Sequence, residues 1–150
     1  MYNVVILGKK AEVNKMQELK IAALNENLPE VLKFIADNLE QTGCKPADST
    51  RIEVAVEEIF SNIANYAYNP ETGSATVSVE LSDDPVKIII SFADNGKPYN
   101  PLAKEDPNIK LSLSERNRGG LGIFMTKKFM DKVHYEYKDG KNILTIEKLF

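Results

Sequence analysis

The hydrophobic period changes partway along this chain, and that change restricts the fold more than any other feature. From Val31 to Ala67 apolar residues recur at helical spacing, whereas from Ala75 to Ala93 they alternate. A segment of period 3.6 buries one stripe and a segment of period 2 buries one face, so the two must pack as layers. The first helical stretch carries Val31, Leu32, Ile35, Ala36 and Leu39. Pro29 sits in its first turn, where a missing N–H costs nothing, and Gly43 is placed to end it. The second carries Ile52, Val56, Ile59, Ile63 and Ala67, with Pro70 past its end. It is expected to begin near Asp48–Thr50, with a capping box between Thr50 and Glu53.

The alternating runs define strands. Ala75, Val77, Val79 and Leu81 alternate with Thr76, Ser78 and Glu80, which leaves one face wet. Val86, Ile88, Ile90 and Phe92 share one side of the next strand with Ile89 on the other, as suits a central position, and Asp83-Asp84-Pro85 turns between the two. Leu19, Ile21 and Ala23 alternate in an earlier strand over Glu18 to Leu24, while residues 1–16 read as a short strand or a loose arm. A third helix is expected after Gly120–Gly122, burying Leu121, Met125 and Phe129. Two final strands carry Val133, Tyr135 and Tyr137, then Leu144 and Ile146, turning at Asp139-Gly140. This order describes an α+β fold with helices on one face of a mixed, mostly antiparallel sheet. Residues 97–118, with Pro98, Pro101 and Pro107 amid charges, have no period. The stretch exceeds the usual loop limit of about 12–15 residues and is expected to form a functional lid.

Composition excludes several classes of function. A length of 150 residues suits one domain, residues 1–150, with a core drawn from helices and sheet. The net charge of −3 argues against bulk nucleic-acid binding, which needs a basic footprint. Cys44, the single cysteine, has no internal partner, which fits a reducing compartment. The longest N-terminal apolar run, Val4 to Leu7, is too short for a signal segment or a membrane span. A cytoplasmic protein that binds neither nucleic acid nor membrane is the expectation.

Three groups of residues carry chemistry. Glu58 and Asn62 are four apart and Asn65 is seven from Glu58, so all three share a helical stripe. They form either a solvated polar face or a site in which a carboxylate acts as general base beside an amide oxygen that ligates a hard cation such as Mg²⁺. Asp94-Asn95-Gly96 follows the central strand. It is either an ordinary turn or a carboxylate that accepts from an exocyclic amine, such as that of adenine, beside a glycine admitting a flat ring. Arg118-Gly119-Gly120-Leu121-Gly122 opens a helix, where free backbone N–H groups and the helix dipole suit an anion, or it simply ends a loop. It is neither a P-loop nor a dinucleotide fingerprint, since it lacks the G-x-x-x-x-G-K-[ST] string and a third glycine directly after a strand. His134 alternates outward as a surface residue, Cys44 reads as half-buried, and Tyr66 and Tyr68 as core or hinge packing.

The order of these groups is more specific than any one of them. Glu58-Ile59-Phe60-Ser61-Asn62 resembles the N box of the GHKL ATPases (gyrase, heat-shock chaperone, histidine kinase and mismatch-repair ATPase). Asp94-Asn95-Gly96 and Gly120-Leu121-Gly122 resemble their two glycine boxes. The flanks AVEEIFSNIANYAY, DNGKPYNP and RGGLGIFMTKKFMD are most similar to the anti-sigma-factor serine kinases, over roughly residues 18–149. The resemblance implies a two-layer α/β sandwich of the Bergerat type that binds ATP or ADP with Mg²⁺. It implies Glu58 as general base toward a protein serine and Asn62 as Mg²⁺ ligand. Asp94 and Gly96 would hold adenine, Gly120 and Gly122 the phosphates, with Arg118 reaching the terminal phosphate from the lid. Where the family often carries a Gly-Thr pair this chain has Lys141-Asn142, which leaves Thr145 as the adenine-side contact. The implied partners are an anti-sigma-factor antagonist and a sigma factor, and a homodimer is compatible. Three other readings stand beside the kinase: a non-catalytic nucleotide-dependent switch, a detached histidine-kinase catalytic domain, and an α+β protein without nucleotide.

Overall fold

A computed structural model describes residues 2–7, 10–103 and 121–150. The chain runs β1 (Tyr2–Leu7), β2 (Lys10–Ala22), α1 (Leu28–Leu39), α2 (Pro46–Asn62), β3 (Ser74–Asp83), β4 (Val86–Asp94), α3 (Leu121–Phe129), β5 (Lys132–Lys138) and β6 (Lys141–Leu149). Six strands form one sheet in the order β1-β2-β3-β4-β6-β5. Every pairing is antiparallel, so among the described residues the sheet is not mixed as the element order suggested. Each neighbour is reached by a hairpin or by a path over the helical face, and neither needs the crossover geometry of a parallel pair. β4 is central, between β3 and β6.

The alternation read from the sequence is the burial pattern of the sheet. Val77 and Val79 of β3, Ile88, Ile90 and Phe92 of β4, and Leu144 and Ile146 of β6 point into one core with Val31 and Ile35 of α1. α2 buries Ile52, Ala55, Val56, Ile59 and Phe60, so Ala55 and Phe60 widen the stripe read from the sequence. The sheet's other face stays polar along β3, as Thr76, Ser78 and Glu80 require. His134 is exposed and Cys44 half-buried, as expected. No helix of the described residues is long and apolar enough to cross a membrane.

Several local expectations are narrowed or corrected. Of the two readings of the N-terminal stretch the strand holds, since residues 2–7 pair with residues 10–15 as a hairpin. α2 begins at Pro46, whose fixed φ suits a first turn; Thr50 lies inside the helix and its hydroxyl donates to Pro46 O at 3.0 Å, so it is not a cap. α3 buries Ile123 and Thr126, whereas Leu121 is 40% exposed and Met125 and Phe129 are half-buried. The helix is rotated from its expected face because Thr126 can be buried, its hydroxyl donating to Gly122 O at 2.9 Å. Gly43 follows a short 3₁₀ turn with φ +66°, and Asp139-Gly140 (φ 53° and 75°) makes the tight β5–β6 turn with both residues left-handed.

Phe60, near the C-terminal end of α2, is fully buried. Phe60→Ala is expected to cost about 3–5 kcal/mol of unfolding free energy, read as a lower urea midpoint at unchanged m-value.

Candidate functional site

α2 carries the site along its length. Asn62 Nδ2 donates to Glu58 Oε1 at 3.2 Å, the i, i+4 contact the sequence spacing allows. The helix then widens into a π-turn over Ile63–Ala67. Such turns break the i, i+4 ladder and recur at functional sites. Asn65, the third residue of the stripe, accepts from Asn25 Nδ2 at 2.7 Å, which ties the π-turn to the segment after β2.

α3 packs against α2. Gly122 lies so close to Glu58 that a Cβ built on it would overlap the Glu58 carboxyl group. The carboxylate expected to act as base therefore lies against the start of α3, a contact no spacing argument reveals. Arg118 and Gly120, the other two expected phosphate contacts, lie outside the described residues.

The turn after β4 docks on the π-turn that follows α2. A Cβ on Gly96 would overlap Ala67 O, and Lys97 N donates to that oxygen at 3.1 Å. Glycine is required here for close backbone approach to the π-turn at Ala67, a neighbour the sequence reading, which expected a flat ring against it, does not name. Asp94 is the last residue of β4, on the core face and 6% exposed. Its Oδ1 accepts from Gly96 N at 2.9 Å and from Asn142 Nδ2 at 3.0 Å. No described residue bonds Oδ2. Since no buried side-chain oxygen is left without a partner among the described residues, Oδ2 reaches solvent. A carboxylate with one oxygen locked and the other presented is an acceptor ready for a single amine.

Asn142 is the residue sequence reasoning passed over. The register sets it directly opposite Asp94, with Ala75 on the other side of the carboxylate. A signal was available: Asn142 is two residues before Leu144, so period 2 puts a polar side chain on the core face, where it needs partners. Thr145, by the same parity, does not join the site. It pairs with Ser91, their hydroxyls 3.0 Å apart, on the face away from Asp94. The expected adenine-side role of Thr145 is thus corrected by strand alternation.

Tyr68 braces the turn from the helix side. Its hydroxyl donates to Ser74 O at 2.6 Å and accepts from Asn95 N at 2.8 Å, while Gly73 packs on its ring. It is a packing residue, as expected; Tyr66 is 65% exposed and is not. Residues 97–103, the first part of the expected lid, are also anchored. Asn100 caps a 3₁₀ turn at Pro101–Ala103, accepting from Leu102 N at 2.9 Å, and Leu102 packs against the core. Residues 104–118 of that lid lie outside the described residues.

A buried polar end to a central strand, a bulged helix beneath it and a glycine-opened helix against a carboxylate define the class of nucleotide-binding α/β sandwich. The fold of the paired RsbU and RsbW domains of Rv1364c from Mycobacterium tuberculosis superposes with a TM-score of 0.62 at 17% identity, over 90% of this chain and 32% of that one. The chain is 30% identical over 136 residues to the anti-sigma F factor of Caldanaerobacter subterraneus subsp. tengcongensis, 89% of this chain and 92% of that protein. It is 28% identical over 95 residues to the serine/threonine-protein kinase BtrW of Bordetella bronchiseptica, 63% of this chain and 66% of BtrW. Residues 21–148 match the histidine kinase-like ATPase domain, and the chain belongs to that family, among relatives of the anti-sigma-factor serine kinases. The ligand class of such a domain is ATP.

Two predictions follow from this geometry. Gly96→Ala drives a methyl into backbone and is expected to cost about 1–3 kcal/mol, whereas Gly122→Ala meets only a movable side-chain end and leaves the melting temperature nearly unchanged while displacing Glu58. Burial raises the Tyr68 hydroxyl pKa, helped by the Asp94 charge and opposed by the Asn95 amide; burial likewise raises that of Tyr135, opposed by the Tyr99 amide. A raised folded-state pKa gives stability that is complete below the unfolded tyrosine value of about 10 and is lost as pH rises from there through the folded value. Urea unfolding on either side of that pH is expected to show a smaller alkaline loss in Tyr68→Phe than in the unsubstituted protein.

Proposed function

We propose that the chain is a single ATP-binding domain acting in the cytoplasm as a serine/threonine-protein kinase and anti-sigma factor. In this reading it phosphorylates a serine of an anti-sigma-factor antagonist and otherwise holds a sigma factor. The observation that carries the reading is the arrangement along the C-terminal part of α2 and the π-turn after it: the Asn62-bonded Glu58 carboxylate against α3, and beyond it the Asp94 turn on Ala67. Nine residues separate Glu58 from Ala67, a rise of roughly 13 Å at helical pitch. That length suits a ligand with a flat amine-bearing end and an anionic end.

The donor set fits Mg-ATP. Asn62 Oδ1 accepts no bond from a described residue and, as an uncharged oxygen, suits a hard cation. No group of three or more His, Cys, Asp or Glu could hold a metal among the described residues, so a cation here would share its coordination with phosphates. Bound with the nucleotide, Mg²⁺ supplies charge neutralisation on the transferred phosphoryl group. Asp94 Oδ2 would accept a hydrogen bond from the adenine amine and Gly96 would lie beneath the ring. Gly122 would face the phosphates, the role the resemblance also implies for Gly120 and Arg118, which lie outside the described residues. Glu58, held at Oε1 by Asn62, takes the serine proton at Oε2.

Saturating Mg-ADP is expected to stabilise the fold, by about 2.7 kcal/mol at a hundredfold excess over the dissociation constant; equal melting temperatures with and without it would remove the nucleotide from this reading. Asp94→Asn sets a donor against the adenine amine and is expected to weaken ADP by roughly 1–3 kcal/mol. Glu58→Gln is expected to keep nucleotide affinity and lose about 10²–10⁴-fold in phosphate incorporation into the antagonist, whereas Asn62→Ala weakens Mg-ATP itself. An unsubstituted protein that binds ATP and antagonist yet never transfers phosphate is a nucleotide-dependent switch instead.

A further inference from the structure

Asn142 makes more bonds than anchoring one carboxylate requires. It is 7% exposed, on the core face of β6 opposite Asp94. Its Nδ2 donates to Asp94 Oδ1 at 3.0 Å and to Lys97 O at 2.9 Å, with Gly96 O at 3.4 Å. Its Oδ1 accepts from Tyr99 N at 3.0 Å and from the Tyr135 hydroxyl. The amide orientation is forced, because the nitrogen faces only acceptors and the oxygen faces donors. A threonine hydroxyl has a single proton and could serve either Asp94 or Lys97 O, not both. The planar amide serves both at once, so the carboxylate and the 97–99 backbone share one anchor.

We propose that Asn142 is a positioning residue: it turns Asp94 so that Oδ2 is presented to a 6-aminopurine, and the same amide fixes the backbone from Lys97 to Tyr99. Recognition of the base and the conformation of that segment thereby become one event. Locking Oδ1 leaves the carboxylate a single orientation with a single free acceptor. A purine with an amine at C6 meets that acceptor, and one with a carbonyl there meets oxygen against oxygen. Asn142 touches neither the base nor the phosphates in this scheme and acts only through Asp94 and the backbone. The inference rests on reading Asp94 as the adenine contact.

The test compares Asn142→Thr with Asn142→Val, two β-branched residues of similar volume that suit a strand and differ in one hydroxyl. ADP and inosine diphosphate, which carries a carbonyl at C6, are titrated calorimetrically into each variant and into the unsubstituted protein. The unsubstituted protein is expected to prefer ADP. Asn142→Val is expected to lose about tenfold in ADP affinity with inosine diphosphate unchanged, so that the preference collapses, and Asn142→Thr to keep it. Amide exchange of Tyr99 is expected to quicken about tenfold in Asn142→Val, which supplies no acceptor. A full preference for ADP in Asn142→Val, or an equal fall for both nucleotides, would overturn the positioning role. Unchanged exchange at Tyr99 would overturn the shared anchor. An unsubstituted protein that binds both nucleotides equally, or neither, refutes the adenine role of Asp94 itself, a failure visible before any variant is made. Should valine prevent folding, Asn142→Ala carries the same comparison against threonine.

Discussion

The burial of α2 against the sheet is the constraint from which the rest of the molecule takes its geometry. Ile52, Val56 and Phe60 are fully withdrawn from water beneath it. Each such side chain contributes roughly 1.5–3 kcal/mol of transfer free energy. The stripe therefore fixes both the rotation and the axial position of the helix. Because the helix cannot turn, Glu58 and Asn62 cannot leave the edge of the buried stripe. Because it cannot slide, the π-turn at Ile63–Ala67 stays where Gly96 and Lys97 N close on Ala67 O. A hydrophobic contact with no chemistry of its own sets the separation between Glu58 and the turn after β4.

At the end of β4 the core face stops being apolar. A carboxylate nine-tenths buried is costly unless its oxygens are met. Asp94 is accommodated by two donors on one oxygen and by solvent at the other. Asn142 is itself buried, and its amide is matched by the Lys97 carbonyl, the Tyr99 amide and the Tyr135 hydroxyl. Tyr68 completes the frame from the helix side through Asn95 N and Ser74 O. A network in which each member is satisfied holds one conformation, and a partly satisfied one does not. A carboxylate can therefore sit in the core of a small fold without unsettling it.

Strand parity explains both what was missed and what was misassigned. Leu144 and Ile146 were recognised as core, which already sends Asn142 inward and Thr145 outward. The resemblance implies Thr145 as an adenine-side contact, whereas parity sets it on the face away from Asp94. Thr50 looked like a cap because a hydroxyl three residues before Glu53 matches that motif, yet Pro46 starts the helix a turn earlier. Residues 97–103 looked loose because prolines and charges carry no period. They are held instead by backbone and side-chain bonds, to Ala67, Asn100 and Asn142, that periodicity does not register.

The sequence by itself determined the local geometry: which stripe of α1 and α2 is apolar, which face of β3, β4 and β6 is buried, and that Glu58 and Asn62 are neighbours. Those facts depend only on 3.6 and 2.0 residue periods, properties of the backbone within one element. The tertiary structure alone decided that Asp94 faces Asn142 across 48 residues of chain, and that Gly122 closes on Glu58. Strand register and helix docking are set jointly by two segments, through hydrogen bonds and packing that neither segment encodes alone.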